Sequence, residues 1–168
     1  MNIKNLPKGP KYPEEFNVVV ELTRGSRNKY EYDEELDIIK LDRVYTSAMS
    51  LPCDYGFIPQ TRSEDNDHLD ALVLVEHSVF PGCMVTARPI GLLKMIDGGE
   101  ADEKIISVPV DDIRMKHIQS LDDLSPHFKQ EIQHYFEHYK DLQDKKVEIT
   151  GWGDKDQAIE VLKRSIEE

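Results

Sequence analysis

The chain has 168 residues, the size of one ordinary domain, and its 33 acidic and 21 basic residues give a net charge of −12. A chain this acidic repels nucleic acid and anionic lipid, so partners of both classes are disfavoured. Its two cysteines, Cys53 and Cys83, lack paired metal-ligand spacing, and the sequence shows neither a signal peptide nor an apolar run long enough for a membrane span. We therefore expect a single domain over residues 1–168 in the cytoplasm, with no nucleic acid and no membrane among its partners.

The first two thirds of the chain are patterned mainly as short strands. An N-terminal arm with three prolines is expected to be extended and to pack on the domain's own surface. Alternating or β-branched runs then predict strands over residues 16–22, 29–33, 36–41, 71–75, 84–96 and 104–110. Gly98 and Gly99 mark a tight turn between the last two. Several short strands joined by polar loops indicate a small barrel.

The last third of the chain contains the helical patterns. Ser125 is suited to cap a helix whose apolar stripe reaches Leu142. Residues 146–150 are predicted to form one more strand. Asp154 then caps a final helix whose apolar stripe ends at Ile166. The pattern as a whole predicts an α+β fold that is mainly β.

The most unusual segment is an acidic turn at residues 64–70, where four carboxylates occur without a lysine or arginine among them. Like charges this close repel one another unless a cation lies between them. In an extended segment Asp65 and Asp67 project to the same side, and Asp70 follows, so these three side chains can converge on a hard cation such as Mg²⁺, Mn²⁺ or Ca²⁺. A solvated acidic loop stays an alternative. An EF-hand is excluded, because Leu69 takes the third ligand position and Asp70 replaces the required glycine.

Other segments of the chain place a carboxylate next to a cation. Alternate residues of a strand share a face, and the two ends of a tight hairpin lie side by side, so these pairs can line one cleft with the acidic turn. The carboxylates would bind metal, and the lysines or arginine would bind an anion. An ion pair without function stays an alternative for the pair on the predicted strand, and a charged hairpin tip in solvent for the group at the tight hairpin. The residues concerned are Lys29 with Glu31, Asp42 with Arg43, and Asp97 and Asp102 with Lys104, together with Tyr139 and Lys140 on the predicted helix.

One motif in the predicted helix suggests a different chemistry. His134 and His138, with Glu137, match the H-x-x-E-H pattern of inverted zinc peptidases. At helical spacing both histidines fall off the apolar stripe toward solvent, so we do not favour this interpretation. The sequence has no Gly-rich P-loop and no serine nucleophile elbow, which excludes the enzymes that depend on those motifs.

Taken in chain order, the motifs resemble those of the soluble inorganic pyrophosphatases of bacteria and archaea. The likeness extends over residues 18–152 and keeps the motifs in the same order. The segments that carry it are Lys29-Tyr30-Glu31, Asp42-Arg43, Pro52-Cys53-Asp54-Tyr55-Gly56-Phe57-Ile58-Pro59, Asp65-x-Asp67-x-Leu69-Asp70, Lys94-Met95-Ile96-Asp97, Asp102-x-Lys104 and His138-Tyr139-Lys140.

The resemblance implies an OB-like β-barrel of five strands with peripheral α-helices, and Mg²⁺-dependent hydrolysis of pyrophosphate to two orthophosphates. It implies several Mg²⁺ ions per site, with Mn²⁺ or other divalent ions as alternatives, and a homo-oligomer, commonly a hexamer. A water held between two metals would be the nucleophile. By position, the resemblance implies that Asp67 is the general base and that Tyr55 is hydrogen-bonded inside the site. It implies that metal ions are held by Asp65, Asp70, Asp97 and Asp102 and, through water, by Glu31 and Glu21. It also implies that phosphate is bound by Lys29, Arg43, Lys104, Tyr139 and Lys140.

The chain departs from the family pattern at four positions. His68 stands where the family usually has proline, and Asn66 where glycine is common. A titratable imidazole among metal ligands predicts metal affinity or activity that depends unusually on pH near neutrality. Leu51 replaces an aromatic residue, and Gly98 replaces an acid that some members carry. Both changes predict an altered rate or affinity, and neither predicts lost function.

Two other classes of function stay open on the sequence. A non-catalytic divalent-cation or polyphosphate-binding protein would use the acidic turns without needing Asp67 as a base. An OB-type nucleic-acid binder is disfavoured by the net charge and by the missing basic aromatic platform.

Overall fold

A closed ring of strands forms the centre of the structure, a computed structural model that describes residues 2–64 and 66–166. Within these residues the strands are β1 (Phe16–Leu22), β2 (Asn28–Asp33), β3 (Ile38–Val44), β4 (Asp54–Phe57), β5 (Asp70–Val73), β6 (Met84–Asp97), β7 (Glu100–Pro109) and β8 (Val147–Gly153), and the α-helices are α1 (Pro126–His138) and α2 (Lys155–Arg164).

Five of these strands close into a barrel. They are hydrogen-bonded in the order β1, β4, β5, β7 and β6, and β6 pairs again with β1. The β5–β7 pair is parallel, and the other pairs in the ring are antiparallel. Strand β8 extends β6 outside the ring, while β2 and β3 form a separate two-stranded hairpin. The prediction of a five-stranded barrel with peripheral helices is therefore confirmed.

Strand β4 is an element that the sequence patterns did not predict. It has four residues, and Gly56 in its middle interrupts any run of side chains with strand propensity. The glycine is required by close packing, since a Cβ at Gly56 would lie 2.0 Å from the carbonyl oxygen of Val19 on β1. The barrel thus closes through a strand that is chosen by tertiary packing and not by local pattern.

The hairpin of β6 and β7 is longer than the sequence predicts. Gly98 and Gly99 have positive φ values of 62° and 95°, which make the tight turn between Asp97 and its cross-strand partner Glu100. Residues 100–103, three of which are acidic, therefore continue the ladder, although their composition is typical of a loop. This extension carries acidic side chains to the mouth of the barrel.

The helices pack on the outside of the barrel, and both end before the predicted stripes do. The helix α1 ends at His138, so Leu142 lies in the following turn with 71% of its surface exposed, and its predicted place on the helix is wrong. Likewise Ile166 follows the end of α2 and is 40% exposed. The capping of α2 by Asp154 is confirmed, because its carboxylate accepts a hydrogen bond from the Gln157 N–H.

The N-terminal arm packs on the domain, as expected. The Asn17 side-chain amide donates to the Pro7 carbonyl, and the Tyr12 hydroxyl donates to the Leu162 carbonyl on α2. Cys53 is buried, in line with its expected role as a small hydrophobic residue, whereas Cys83 is half-buried. Among the described residues, no helix is both long enough and apolar enough to cross a membrane.

Candidate active site

A cleft of about 330 Å³ opens where β5 begins and the β6–β7 hairpin turns, and the β2–β3 hairpin and the end of α1 form its walls. Its charge is strongly unbalanced, with seven carboxylates and three lysines. The carboxylates are Glu21, Glu31, Glu34, Asp67, Asp70, Asp97 and Asp102, and the lysines are Lys29, Lys104 and Lys140.

The pairing of the strands brings the acidic turn and the β6–β7 hairpin together. Asp70 begins β5 and pairs directly with Lys104 on the parallel strand β7. Alternate residues of a strand share a face, so Asp102 projects to the same side of β7 as Lys104. The two acidic segments therefore line one cleft, as their patterns in the sequence allow.

The ammonium group of Lys104 lies at the centre of the cleft. Its Nζ is 2.7 Å from Asp70 Oδ2 and 2.9 and 3.0 Å from the two Asp102 oxygens, and only 4% of the side chain is exposed. Burial alone would lower the pKa of Lys104, but the two adjacent carboxylates outweigh it and hold the pKa above its ordinary value. Lys104 therefore carries its charge at any physiological pH.

One lysine does not neutralise the base of the cleft. Burial raises the pKa of Asp70 above its ordinary value, with Asp102 adding repulsion, even though Lys104 is adjacent. The Tyr55 hydroxyl donates to Asp70 Oδ2, and burial raises the pKa of Tyr55 so that it stays a donor. The site therefore has a shortage of positive charge where the acidic turn meets β7.

Glu21 on β1 is also affected by the shortage of positive charge. It is 8% exposed, and one of its carboxylate oxygens accepts a hydrogen bond of 2.7 Å from the Tyr32 N–H. Burial, with repulsion from Asp70 and Glu31, raises the pKa of Glu21 to about 8. A bound cation would relieve this cost, so the carboxylate set fits hard divalent metal ions.

Two further lysine–carboxylate pairs border the cleft. Lys140 follows the end of α1 and donates to Asp97. Lys29 donates to Glu31 on β2. Tyr139 lines the wall between them, with its ring 5.8 Å from that of Tyr45. Both lysines and Tyr139 therefore line the same cleft as the carboxylates.

Two of the residues implied by the resemblance are not placed in this cleft. Asp65 lies outside the described residues. Arg43 lies opposite Lys29 in the β2–β3 hairpin, but its guanidinium donates to Asp42 Oδ2 at 2.6 Å, and the residue does not line the cleft. Among residues 2–64 and 66–166, no three acidic, histidine or cysteine side chains converge at metal-binding distances. Between Asp70 and Asp102, the intervening group is the Lys104 ammonium.

One cleft residue, Glu34, was not in the predicted site, and two others, His68 and Leu51, depart from the family pattern. Glu34, at the turn of the β2–β3 hairpin, was missed because it lies in no motif, and His68 faces it with Nε2 3.1 Å from Glu34 Oε1. The His68 ring stacks on Phe57 at 4.8 Å, and its Nδ1 lies 2.9 Å from the Thr61 carbonyl. Leu51 is 3% exposed beneath the cleft. The expected influence of His68 on pH dependence stays a prediction.

The histidine pair of α1 has a different environment. The rings of His134 and His138 lie 4.5 Å apart, and His138 Nδ1 is 2.9 Å from Asp141 Oδ2. The third residue of that motif, Glu137, accepts a hydrogen bond from Gln133. Neither histidine lines the acidic cleft. The arrangement gives no support to a zinc peptidase.

Comparison with known proteins decides between the classes of function left open by the sequence. The family model described as "Inorganic pyrophosphatase" matches residues 18–168. The chain belongs to the inorganic pyrophosphatase family. This membership confirms the resemblance and the prediction that the chain is a hydrolase acting on pyrophosphate.

Relatives from distant organisms support the membership in this family over nearly the whole chain. The inorganic pyrophosphatase of Nostoc is 46% identical over 166 residues, which cover 99% of this chain and 98% of that protein. The inorganic pyrophosphatase of Haloferax volcanii is 47% identical over 165 residues, which cover 98% of this chain and 93% of that protein. The crystal structure of the inorganic pyrophosphatase from Thermus thermophilus has a TM-score of 0.95 at 48% identity, covering 99% of this chain and 97% of that one.

Proposed function

We propose that this chain hydrolyses pyrophosphate to two orthophosphates in a Mg²⁺-dependent reaction, with Asp67 as the general base, and that residues 1–168 form one pyrophosphatase domain. The observation that carries the proposal is the cleft itself, in which an excess of carboxylates alternates with buried or half-buried lysines. Carboxylates alone would repel pyrophosphate, and lysines alone would bind it without a metal. The combination suits an anion that arrives with divalent cations.

The metal-binding role falls to carboxylates on five strands and in the acidic turn. Asp70, Asp97 and Asp102 would hold Mg²⁺ together with Asp65, and Glu21 and Glu31 would support it through water. When bound, Mg²⁺ supplies charge neutralisation and acidifies a water molecule. Mn²⁺ has similar oxygen chemistry and is the first alternative metal to test.

The lysines and tyrosines act on the phosphates. A cation held by Asp70 and Asp102 would compete for the oxygens that Lys104 now contacts, which leaves its ammonium free to bind phosphate. By the same argument, a cation held by Asp97 would free Lys140 to bind phosphate. Arg43 would have to exchange Asp42 for phosphate to act as the resemblance implies.

Asp67 accepts the proton in this proposal. Its carboxylate lines the cleft on the acidic turn, next to the carboxylates proposed to bind metal. The attacking water passes its proton to the Asp67 carboxylate, and cleavage of the P–O–P bridge produces two orthophosphates. Lys29, Lys104 and Lys140 offset the negative charge that develops on the leaving phosphate.

The test separates hydrolysis from simple binding. Phosphate release is measured from pyrophosphate with Mg²⁺, with Mn²⁺ and with EDTA, alongside equilibrium binding of pyrophosphate under the same conditions. We expect two phosphates for each pyrophosphate consumed, and no release in EDTA. A non-catalytic divalent-cation or polyphosphate-binding protein would bind pyrophosphate and release none.

We also propose that the protein is a cytoplasmic homohexamer. Large apolar side chains are exposed on the surface, including Leu41 at 53%, Phe80 at 66% and Ile113 at 83%, and an interface between copies would cover such groups. Sedimentation equilibrium of the 19.4 kDa chain tests the assembly directly. A mass of one subunit at micromolar concentration would reject the hexamer.

A further inference from the structure

Three side chains join the β2–β3 hairpin to the acidic turn, and we call Glu34, Arg62 and His68 the hairpin tether. Glu34 lies at the turn of the hairpin, and its two carboxylate oxygens accept hydrogen bonds of 2.8 and 3.1 Å from the two terminal nitrogens of Arg62. His68 Nε2 lies 3.1 Å from the same carboxylate. Arg62 precedes the acidic turn and His68 lies within it, so Glu34 contacts this segment at two places.

The tether connects two parts of the cleft that belong to separate sheets. The β2–β3 hairpin is a two-stranded sheet of its own and carries Lys29 and Glu31. The acidic turn precedes β5 of the barrel and carries Asp67. The position of the hairpin relative to the acidic turn therefore depends on side-chain contacts between them.

The contacts of the tether are well suited to fix a position. An arginine–carboxylate pair with two parallel hydrogen bonds is geometrically specific, unlike a single lysine contact. The hydrogen bonds from Arg62 lower the pKa of Glu34, so the carboxylate is ionised at neutral pH. The His68 ring is held from another side, 4.8 Å from Phe57 and nearly parallel to it at 16°, and Phe57 in turn stacks on Tyr32 of β2 at 5.1 Å.

We propose that Glu34 is a positioning residue, which holds the acidic turn and the β2–β3 hairpin in the relative position that metal binding requires. The proposal rests on the proposed function, because it assigns the acidic turn to metal. Glu34 acts through Arg62 and His68 and takes no part in the chemistry. The resemblance assigns no role to any of the three tether residues.

Loss of Glu34 has a defined expected effect. Without its carboxylate, the hairpin loses its hydrogen bonds to Arg62 and its contact with His68. A group that orients metal ligands affects metal affinity by about 10-fold to 100-fold when it is removed. We expect Glu34→Ala to weaken Mg²⁺ binding about 10-fold and to raise KM for pyrophosphate, with a much smaller change in kcat. Glu34 is half exposed, at 48% of its side chain, so the variant should fold.

Lys40→Ala is the matched control. Lys40 lies on the same hairpin, and its ion pair with Asp33, at 2.6 Å, stays within the hairpin and does not reach the acidic turn. Removing it should leave Mg²⁺ affinity, KM and kcat within about 2-fold of the native values. Glu34→Gln, which keeps the shape and loses the charge, should fall between Glu34→Ala and the native chain.

The first measurement needs no catalysis. Calorimetric titration of Mg²⁺ without pyrophosphate gives the metal affinity, and amide hydrogen exchange of metal-free protein reports the mobility of residues 61–69. Glu34→Ala should weaken Mg²⁺ binding and accelerate amide exchange in residues 61–69, whereas Lys40→Ala should change neither quantity. Unchanged Mg²⁺ affinity or unchanged exchange in Glu34→Ala would overturn the proposal.

A double-mutant cycle tests whether Glu34 acts through Arg62. If it does, Glu34→Ala combined with Arg62→Ala should bind Mg²⁺ no more weakly than the weaker of the single variants. Effects that multiply would reject the tether. If the native chain bound Mg²⁺ but released no phosphate, the proposed hydrolysis would fail, and these binding and exchange experiments would still decide the role of Glu34.

Discussion

Glu21 is the residue whose pKa makes the strongest prediction for the metal-free protein. Burial raises its pKa from an ordinary 4.5 to about 8. Below pH 4.5 the residue is protonated in both the folded and the unfolded chain, so it has no differential effect. As the pH rises, the unfolded chain releases this proton first, so the fold loses stability progressively until about pH 8, where the loss is complete.

The variant Glu21→Gln isolates this effect. The amide keeps the oxygen that accepts from the Tyr32 N–H and cannot ionise. In EDTA, the free energy of unfolding of the variant should rise relative to that of the native chain as the pH increases from 5 to 8, by up to about 4 kcal/mol. Urea unfolding at a series of pH values measures the difference. A gap between the two proteins that is independent of pH would contradict the assignment.

Lys104 provides a second prediction at the scale of one residue. It contacts Asp70 and Asp102 from a nearly buried position, so Lys104→Met leaves two carboxylates without their neutralising partner. We expect the metal-free variant to lose about 3 kcal/mol of unfolding free energy. Saturating Mg²⁺ should restore part of it, because the ion replaces the lost charge.

The control for Lys104→Met is Lys163→Met. Lys163 pairs with Glu160 on the exposed face of α2, and that pair should contribute at most about 0.5 kcal/mol. Equal losses in the two variants, measured by urea unfolding in EDTA, would show that the buried position of Lys104 has no special importance.

At the scale of elements, the barrel depends on the short strand β4. Gly56→Ala would place a methyl group against the β1 backbone, 2.0 Å from the Val19 oxygen, and a backbone contact cannot yield as a side chain can. We expect a loss of about 3 kcal/mol or more, seen as a lower midpoint of thermal unfolding.

Gly25→Ala is the comparison for Gly56→Ala. Gly25 has a φ of +83° and nothing within 4 Å of its missing Cβ, so alanine there brings backbone strain without a clash. Its cost should be about 1 kcal/mol. If both variants cost the same, close packing of β4 on β1 is not what requires Gly56.

The sequence predicts elements whose pattern is local and misses those set by distant contacts. Strand β1 is a β-branched run and has the predicted bounds. Strand β4 is chosen by its fit against β1, and the beginning of β7 by the glycine turn before it, so neither shows an apolar pattern.

The same distinction applies to the candidate site. Carboxylates and lysines at short spacing, such as Asp102 with Lys104, are visible in the sequence and meet in the structure. Glu34 and Arg62 are 28 residues apart, and only the fold brings them together. The side chain of Arg43 points to Asp42, which its position in a motif does not reveal.

At the scale of the whole molecule, the charge sets how pyrophosphate can enter. The net charge of −12 and the acidic cleft both repel a free polyanion, and in the proposed function divalent ions would reduce the charge on both partners. The same binding predicts stabilisation of the fold. At a Mg²⁺ concentration about 100 times its dissociation constant, one site contributes about 2.7 kcal/mol.

Thermal unfolding measures this stabilisation. For a chain of this length, that energy should raise the midpoint by about 5 to 10 °C. Sodium chloride at the same ionic strength is the control, since it screens charge without occupying a carboxylate site. An equal rise in both salts would indicate general screening, and would remove the support for specific metal binding.

The most direct test of the account compares phosphate release by Asp67→Asn and by the native chain at saturating Mg²⁺. Asp156→Asn, an exposed carboxylate on α2, is the matched control. We predict that Asp67→Asn releases phosphate about 10²-fold to 10⁴-fold more slowly while keeping its affinity for Mg²⁺ within a few-fold, and that Asp156→Asn keeps the native rate. A native rate in Asp67→Asn, or phosphate release by the native chain that continues in EDTA, would contradict the account.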